Sequence, residues 1–239
     1  MSRLGVFDSG LGGYDVLNHI HEKYPKQDLV YLADQKNVPY GNKSREELVA
    51  IARENMAFFR RHRIKKVLIA CNTISSLELD FPGVETYRII ETTARTVDAQ
   101  KVIVLATSFT VNSHAYRRYL PGREVIEIAL PGMVRLIEEG ASREEIMAEL
   151  DRNLHEYKNS GISAILGCTH FPLVKKEVEE YLGGSTYESG NAVLSLPIYS
   201  EGKGKVQIYT SGDTDSFNEK VCRIYGQNIK ALPTNRQQI

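Results

Sequence analysis

Twice along the chain a short apolar run stops at a cysteine and turns polar: Val67-Leu68-Ile69-Ala70-Cys71-Asn72-Thr73 and Ala164-Ile165-Leu166-Gly167-Cys168-Thr169-His170. Runs this short, closed by small hydroxyl or amide side chains, have the composition of a buried strand entering a strand-to-helix turn. Similar runs with helix-period segments between them fill most of the chain, and that alternation implies α/β architecture with mainly parallel sheets.

The alternation starts over once. Residues 4–7 form an apolar strand that breaks at Asp8-Ser9-Gly10-Leu11-Gly12-Gly13, after which Tyr14, Leu17, Ile20 and Tyr24 recur at helical spacing. A second strand at 29–33 ends at Asp34, and a loop follows through Val38-Pro39-Tyr40-Gly41-Asn42. Ser44 and Glu47 have the capping-box spacing and open a helix to about His62. The cysteine strand at 67–70 comes next, then a fourth strand at 88–90 and a helix over 91–100. From Lys101 the order repeats: a strand at 102–106 breaking at Thr107-Ser108, a helix ending near Pro121, and a strand at 124–129. A second capping box, Ser142 with Glu145, opens a helix that Gly161 would stop, and the second cysteine strand at 162–166 precedes a helix opened by Phe171-Pro172-Leu173. Residues 200–205 read as a flexible loop, 206–210 as a strand, 214–225 as a helix, and the tail beyond Ile229 as fraying. From Asp8 to Thr107 is 99 residues, from Cys71 to Cys168 97, and from Ser44 to Ser142 98. Three landmarks at nearly one offset imply two similarly built halves.

Composition narrows the partners. Thirty basic residues balance thirty acidic ones, so nothing draws the chain as a whole toward nucleic acid or an anionic membrane. No apolar run is long enough to span a bilayer, and three scattered cysteines argue for free thiols in a reducing compartment. The expectation is a soluble cytoplasmic protein with a small-molecule partner.

Ligands of open parallel sheets bind beyond the carboxyl ends of the strands. Asp8, Cys71, Thr107 and Cys168 stand at such ends, so they can converge on one cleft, with each thiol ahead of a helix N-terminus that favours its thiolate. A lone cysteine closing a strand is more often a small buried hydrophobe; a matched pair, each with polar neighbours, favours acid–base chemistry. Cys222, inside a helix, stays with the buried-hydrophobe reading, and His19 and His21 read as surface residues. His170 fits a helix start as well as a catalytic role. Asp8 fits an amide-binding turn as well as catalysis. The glycine turn with Asp34 one strand later has a weak likeness to a dinucleotide site, although Asp15 stands where its third glycine belongs. Cys71, Cys168 and His170 could also ligate zinc, but lack a fourth partner.

Taken in order, Phe7-Asp8-Ser9-Gly10-Leu11-Gly12-Gly13, Val38-Pro39-Tyr40-Gly41-Asn42-Lys43-Ser44, Ala70-Cys71-Asn72-Thr73 and Leu166-Gly167-Cys168-Thr169-His170-Phe171-Pro172-Leu173 closely resemble the glutamate racemases of the aspartate/glutamate racemase superfamily. The resemblance covers nearly the whole chain. It implies a cofactor-independent enzyme that interconverts L- and D-glutamate for peptidoglycan synthesis, with aspartate or another amino acid as the alternative substrate. It implies two α/β domains related by pseudo-twofold symmetry, residues 1–96 with 208–239 and residues 97–207, around an active site, and a homodimer. Carried over by motif, Cys71 and Cys168 are the acid–base pair, with Asp8, His170 and Glu138 assisting. Ser9, Pro39, Tyr40, Gly41, Asn72, Thr73, Thr107, Thr110 and Thr169 would hold the substrate beside the Asp8, His170 and cysteine side chains. One segment departs: Leu130 and Gly132 stand where many members carry a different pattern around a Cys-Pro pair, which bears on substrate preference.

Overall fold

The computed structural model describes residues 3–234, and its strands form two parallel sheets. β1 (Leu4–Asp8), α1 (Gly13–Lys23), β2 (Leu29–Ala33), α2 (Arg45–Arg61), β3 (Lys66–Ile69), α3 (Asn72–Ser75), β4 (Glu85–Arg88) and α4 (Ile89–Ala94) come first. β5 (Lys101–Ala106), α5 (Ser108–Asn112), α6 (Ala115–Tyr119), β6 (Glu124–Ala129), α7 (Met133–Glu139), α8 (Arg143–Leu154), β7 (Ser163–Gly167), α9 (Lys175–Leu182) and β8 (Thr186–Tyr187) follow. α10 (Ser189–Ala192), β9 (Val206–Thr210), α11 (Thr214–Tyr225) and β10 (Leu232–Pro233) complete the chain.

The first sheet runs β10-β9-β2-β1-β3-β4 and the second β6-β5-β7-β8. Within each, the order of the first four strands is second, first, third, fourth, which is the duplication expected from the repeated offset. β9 pairs with β2 in parallel, Val206 opposite Leu29 through Thr210 opposite Ala33, so the end of the chain returns to the first sheet.

Side-chain alternation divides the core into three. Leu4, Val6, Leu68 and Ala70 from the first sheet and Val102, Val104, Ala106 and Ile165 from the second belong to one shared cluster. The opposite faces pack outward, Phe7, Val67 and Ile69 with α2 and Ile103, Leu105 and Leu166 with α8 and α9. Phe59 of α2 is fully buried and contributes about 2–3 kcal/mol by leaving water. Its ring lies where a Cβ on Gly5 would fall, 2.7 Å away, so the strand carries glycine there.

Both capping boxes form as expected. The Ser44 hydroxyl accepts from the Glu47 amide and the Ser142 hydroxyl from the Glu145 amide, and each glutamate accepts from its serine amide in return.

Elsewhere the structure differs from the sequence reading. The fourth strand lies at 85–88, and Ile89 and Ile90 open α4, because their side chains enter the shared core from a helix. The segment after Thr107 is two short helices, separated at His114 by a left-handed backbone with φ 53°. The helix from Ser142 ends at Leu154, well before Gly161. Cys168 is followed by a turn and a 3-10 segment at Phe171–Val174 ahead of α9. The loop at 200–205 is pinned: the amides of Gly202 and Gly204 donate to the Lys26 carbonyl, and those of Lys203 and Lys205 to the Asp28 carboxylate. Beyond Ile229, Leu232–Pro233 pairs with β9, and residues 235–239 lie outside the described region. Cys222 is exposed rather than buried. His19 is half-buried, paired with Asp15 and packed where a Cβ on Gly190 would stand. Among the described residues no helix is long and apolar enough to cross a membrane.

Candidate active site

The carboxyl ends of strands from both sheets open on one cavity of about 840 Å³. Ser9 and Gly10 follow β1, Cys71, Asn72 and Thr73 follow β3, Thr107 and Ser108 follow β5, and Cys168, Thr169 and His170 follow β7. The loop Val38-Pro39-Tyr40-Gly41-Asn42, the start and face of α7, and Lys220 and Arg223 of α11 complete the lining. One thiol thus comes from each sheet, at equivalent strand ends. Both are almost fully buried, Cys71 at 4% and Cys168 at 7% exposure.

The two sulfurs have different surroundings. Burial pushes the Cys71 thiol well up, and the Asp8 carboxylate adds to the rise, against the opposing pull of the Ile74 amide and the Ser9 hydroxyl. This corrects the expectation of a helix-lowered thiol at Cys71: α3 has only four residues, while desolvation acts on the whole charge. Cys168 Sγ lies 3.9 Å from His170 Nδ1, and His170 Nε2 lies 3.0 Å from Glu138 Oε1. The Lys220 ammonium donates to Glu138 Oε2 at 3.2 Å. Burial alone would lower His170, but its hydrogen bonds to Cys168 and Glu138 raise it to about 10. Burial likewise works to raise Glu138, and His170 and Lys220 overcome it, holding the carboxyl at about 2. The Glu138 carboxylate and the Cys168 sulfur thus both favour the protonated imidazole, which turns Nδ1 to that sulfur.

Asp8 supports the turn rather than the cavity wall. Its Oδ2 accepts from the amides of Gly10 and Gly13, each at 3.0 Å, and its Oδ1 accepts from the Thr169 hydroxyl at 3.2 Å. A Cβ on Gly13 would lie 2.3 Å from Asp8 Cβ, so that glycine serves the aspartate's approach. The ribose-acid reading of Asp34 fails for a similar reason. Its carboxylate already accepts from Asn37, Tyr40, Asn55 and Ser211, leaving nothing for a sugar hydroxyl. Among the described residues no three His, Cys, Asp or Glu side chains are grouped to hold a metal, so Cys71, Cys168 and His170 are not arranged as the zinc reading requires.

Donors available to a ligand remain. The Asn72 amide accepts from the Tyr116 hydroxyl at 2.8 Å through Oδ1, while its buried Nδ2 has no partner. An unmade buried hydrogen bond costs about 1–3 kcal/mol, which a ligand oxygen would relieve. Thr73 and Thr107 hydroxyls meet across the two sheets at 3.1 Å, and Thr107 in turn meets Thr110 at the same distance. Thr110 is buried behind this pair and does not line the cavity. Pro39, Tyr40 and Gly41 do line it, although the Tyr40 hydroxyl is bound to Asp34 at 2.6 Å. Sequence reasoning missed Arg135, Lys220 and Arg223. The two α11 residues carried no local signal, since only folding brings them beside α7.

Two parallel sheets of like strand order, meeting at a cleft with one thiol from each, define an α/β protein built for chemistry between its halves. The chain belongs to the Asp/Glu/Hydantoin racemase family, whose model matches residues 8–196. It is 32% identical to the glutamate racemase of Lactobacillus helveticus over 94% of this chain and 93% of that one. Among solved structures, the glutamate racemase of Thermus thermophilus in complex with β-chloro-D-alanine superposes with a TM-score of 0.86 at 27% identity, covering 100% of this chain and 98% of that one. The glutamate racemase of Francisella tularensis in complex with D-glutamate gives a TM-score of 0.86 at 25% identity over 99% and 98% of the two chains.

Proposed function

We propose that this protein interconverts L- and D-glutamate by a cofactor-independent two-thiol mechanism, supplying D-glutamate for peptidoglycan. The observation that carries the reading is the pair of buried cysteines, one from each sheet, on a single cavity that Asn72, with its unpartnered Nδ2, and the hydroxyl residues Ser9, Thr73 and Thr107 also line. Full-length similarity to glutamate racemases supports the substrate. In this reading one cysteine, as thiolate, takes the α-proton and becomes a thiol. The other, as thiol, delivers its proton to the opposite face and becomes the thiolate, and the reverse direction exchanges the roles. Substrate carboxylates accept from Asn72 Nδ2, from hydroxyls at Ser9 and Thr73, and from backbone amides of residues 40–42, while Thr169, whose hydroxyl donates to Asp8, shapes the wall beside them. These fixed donors stabilise charge as it develops on the α-carboxylate.

The same reading assigns residues 1–96 with 208–239 to one domain and 97–207 to the other; the return of β9 and β10 to the first sheet supports the two-part first domain and moves its second boundary to 206, since β9 pairs with β2 from Val206 onward. Three unpaired cysteines support a reducing, cytoplasmic setting.

The test is the decay of optical rotation of L-glutamate, with L-aspartate run in parallel, and uptake of solvent deuterium at the α-carbon. Glutamate is expected to racemise without added cofactor, and Cys71→Ala and Cys168→Ala each to lose at least about 10²-fold in kcat. Near-wild-type turnover in either variant removes the two-thiol mechanism, and an inert wild type removes the function.

A further inference from the structure

Glu138 is held from two directions. From its own side of the cleft, His170 meets Oε1 at 3.0 Å. From the other, Lys220 of α11 donates to Oε2 at 3.2 Å, and the Arg223 guanidinium of the same helix donates to the Glu138 main-chain carbonyl. α11 directly follows β9, a strand of the first sheet, whereas α7 and His170 belong to the chain around the second. Lys220 lines the cavity with its side chain about one-third exposed, so it is neither a buried structural ion nor a freely solvated one.

We propose that Lys220 is a positioning residue: acting across the cleft through Glu138, it holds the His170 imidazolium against Cys168, an inference that rests on the racemase reading. A carboxylate bonded only to His170 can rotate toward water, since its second oxygen has open lone pairs. A charge-assisted bond to that oxygen fixes the carboxylate plane and keeps it ionised. The imidazolium then has a fixed counter-ion on Nε2 and presents Nδ1 to the sulfur. Because the cation comes from the helix that returns to the first sheet, the full chain of Lys220, Glu138, His170 and Cys168 is assembled only when the two halves are apposed.

The groups around this chain fix the sign of the expected change. Cys168 and Glu138 face His170. His170, Lys220 and Arg223 touch Glu138, and Tyr225 of α11 feels its charge. Loss of Lys220 frees Glu138 to leave His170, so the imidazolium loses its proton at lower pH. Direct repulsion between the Lys220 ammonium and the imidazolium works the other way, and an upward shift would mean that repulsion is the only coupling.

The experiment compares Lys220→Met, Lys220→Gln and Lys220→Arg in the full chain. The His170 ring is followed by nitrogen-detected NMR titration without substrate, its signal assigned from a His170→Asn spectrum, and racemisation kinetics are run from both enantiomers. The Met and Gln variants are expected to lower the His170 midpoint and move the alkaline limb of kcat down with it. Their kcat should fall about tenfold, the effect of one charge-assisted hydrogen bond, with KM within about twofold in both directions. Arg should restore all three quantities. An unmoved or raised His170 midpoint in a folded Gln variant overturns the proposal, as does a raised KM at unchanged kcat, which would make Lys220 a substrate anchor. A wild type that does not racemise glutamate sinks the function instead, while the resting-state titration still decides the role of Lys220.

Discussion

Glu138 and His170 show how one pair of side chains ties charge to folding. The Glu138 carboxyl is held at about 2, below the ordinary value near 4.3, so its stabilisation is complete above that value and fades as pH falls toward 2. His170 is raised to about 10 from near 6.5, so its share is complete below about 6.5 and fades as pH rises through 10. Replacing Glu138 by Gln removes the carboxylate that serves both. The melting-temperature gap between the wild type and Glu138→Gln should therefore be widest between about pH 4.5 and 6.5 and narrow on either side. A gap that stayed constant from about pH 2 to pH 10, with no narrowing outside the plateau, would mean the pair is not ionic. The same scale explains Cys71, where the sequence suggested helix assistance and burial prevailed. A four-residue helix offers little dipole, and the lost hydration of a thiolate outweighs it.

At the level of elements, the two capping boxes are the clearest case of local sequence fixing local structure. Ser142 sits at the start of α8, whose Ile146, Leu150 and Leu154 pack under the second sheet. Ser142→Ala removes one cap and leaves the Glu145 amide to water, a cost of about 1 kcal/mol. Urea denaturation should show the midpoint falling with the slope unchanged; a loss below about 0.3 kcal/mol would mean the box is redundant to packing. Other elements were decided less locally. Ile89 and Ile90 read as strand by β-branching, yet they begin α4 because the shared core takes them from that direction. β8 and β10, two residues each, are too short for any periodicity to announce.

For the whole molecule, the decisive contact is the turn after β1 pressed against the turn after β7. A Cβ on Gly12 would lie 2.5 Å from Thr169 Oγ1 and 2.6 Å from the Thr169 carbonyl carbon. Since backbone cannot swing aside as a side chain can, Gly12→Ala must shift the two halves at the cavity itself. It is expected to cost about 1–3 kcal/mol of stability and to reduce racemisation. Gly122→Ala is the contrast. It is strained by its φ of +77° but has nothing within 4 Å of the new Cβ, so it should lose stability while keeping turnover per folded molecule. Equal kcat in folded Gly12→Ala and wild type would show that the cavity tolerates the displacement.

The sequence by itself determined the alternating strands and helices, both capped helices, the duplication and the two strand-end cysteines. These depend on short-range spacing and on a repeat that survives in the primary order. Tertiary structure alone decided that Lys220 reaches Glu138, 82 residues away in the chain, that Asp8 is spent on amides and Thr169, and that burial raises the Cys71 thiol. Those outcomes depend on which surfaces meet and how much water is excluded, and neither is written in the spacing of neighbouring residues.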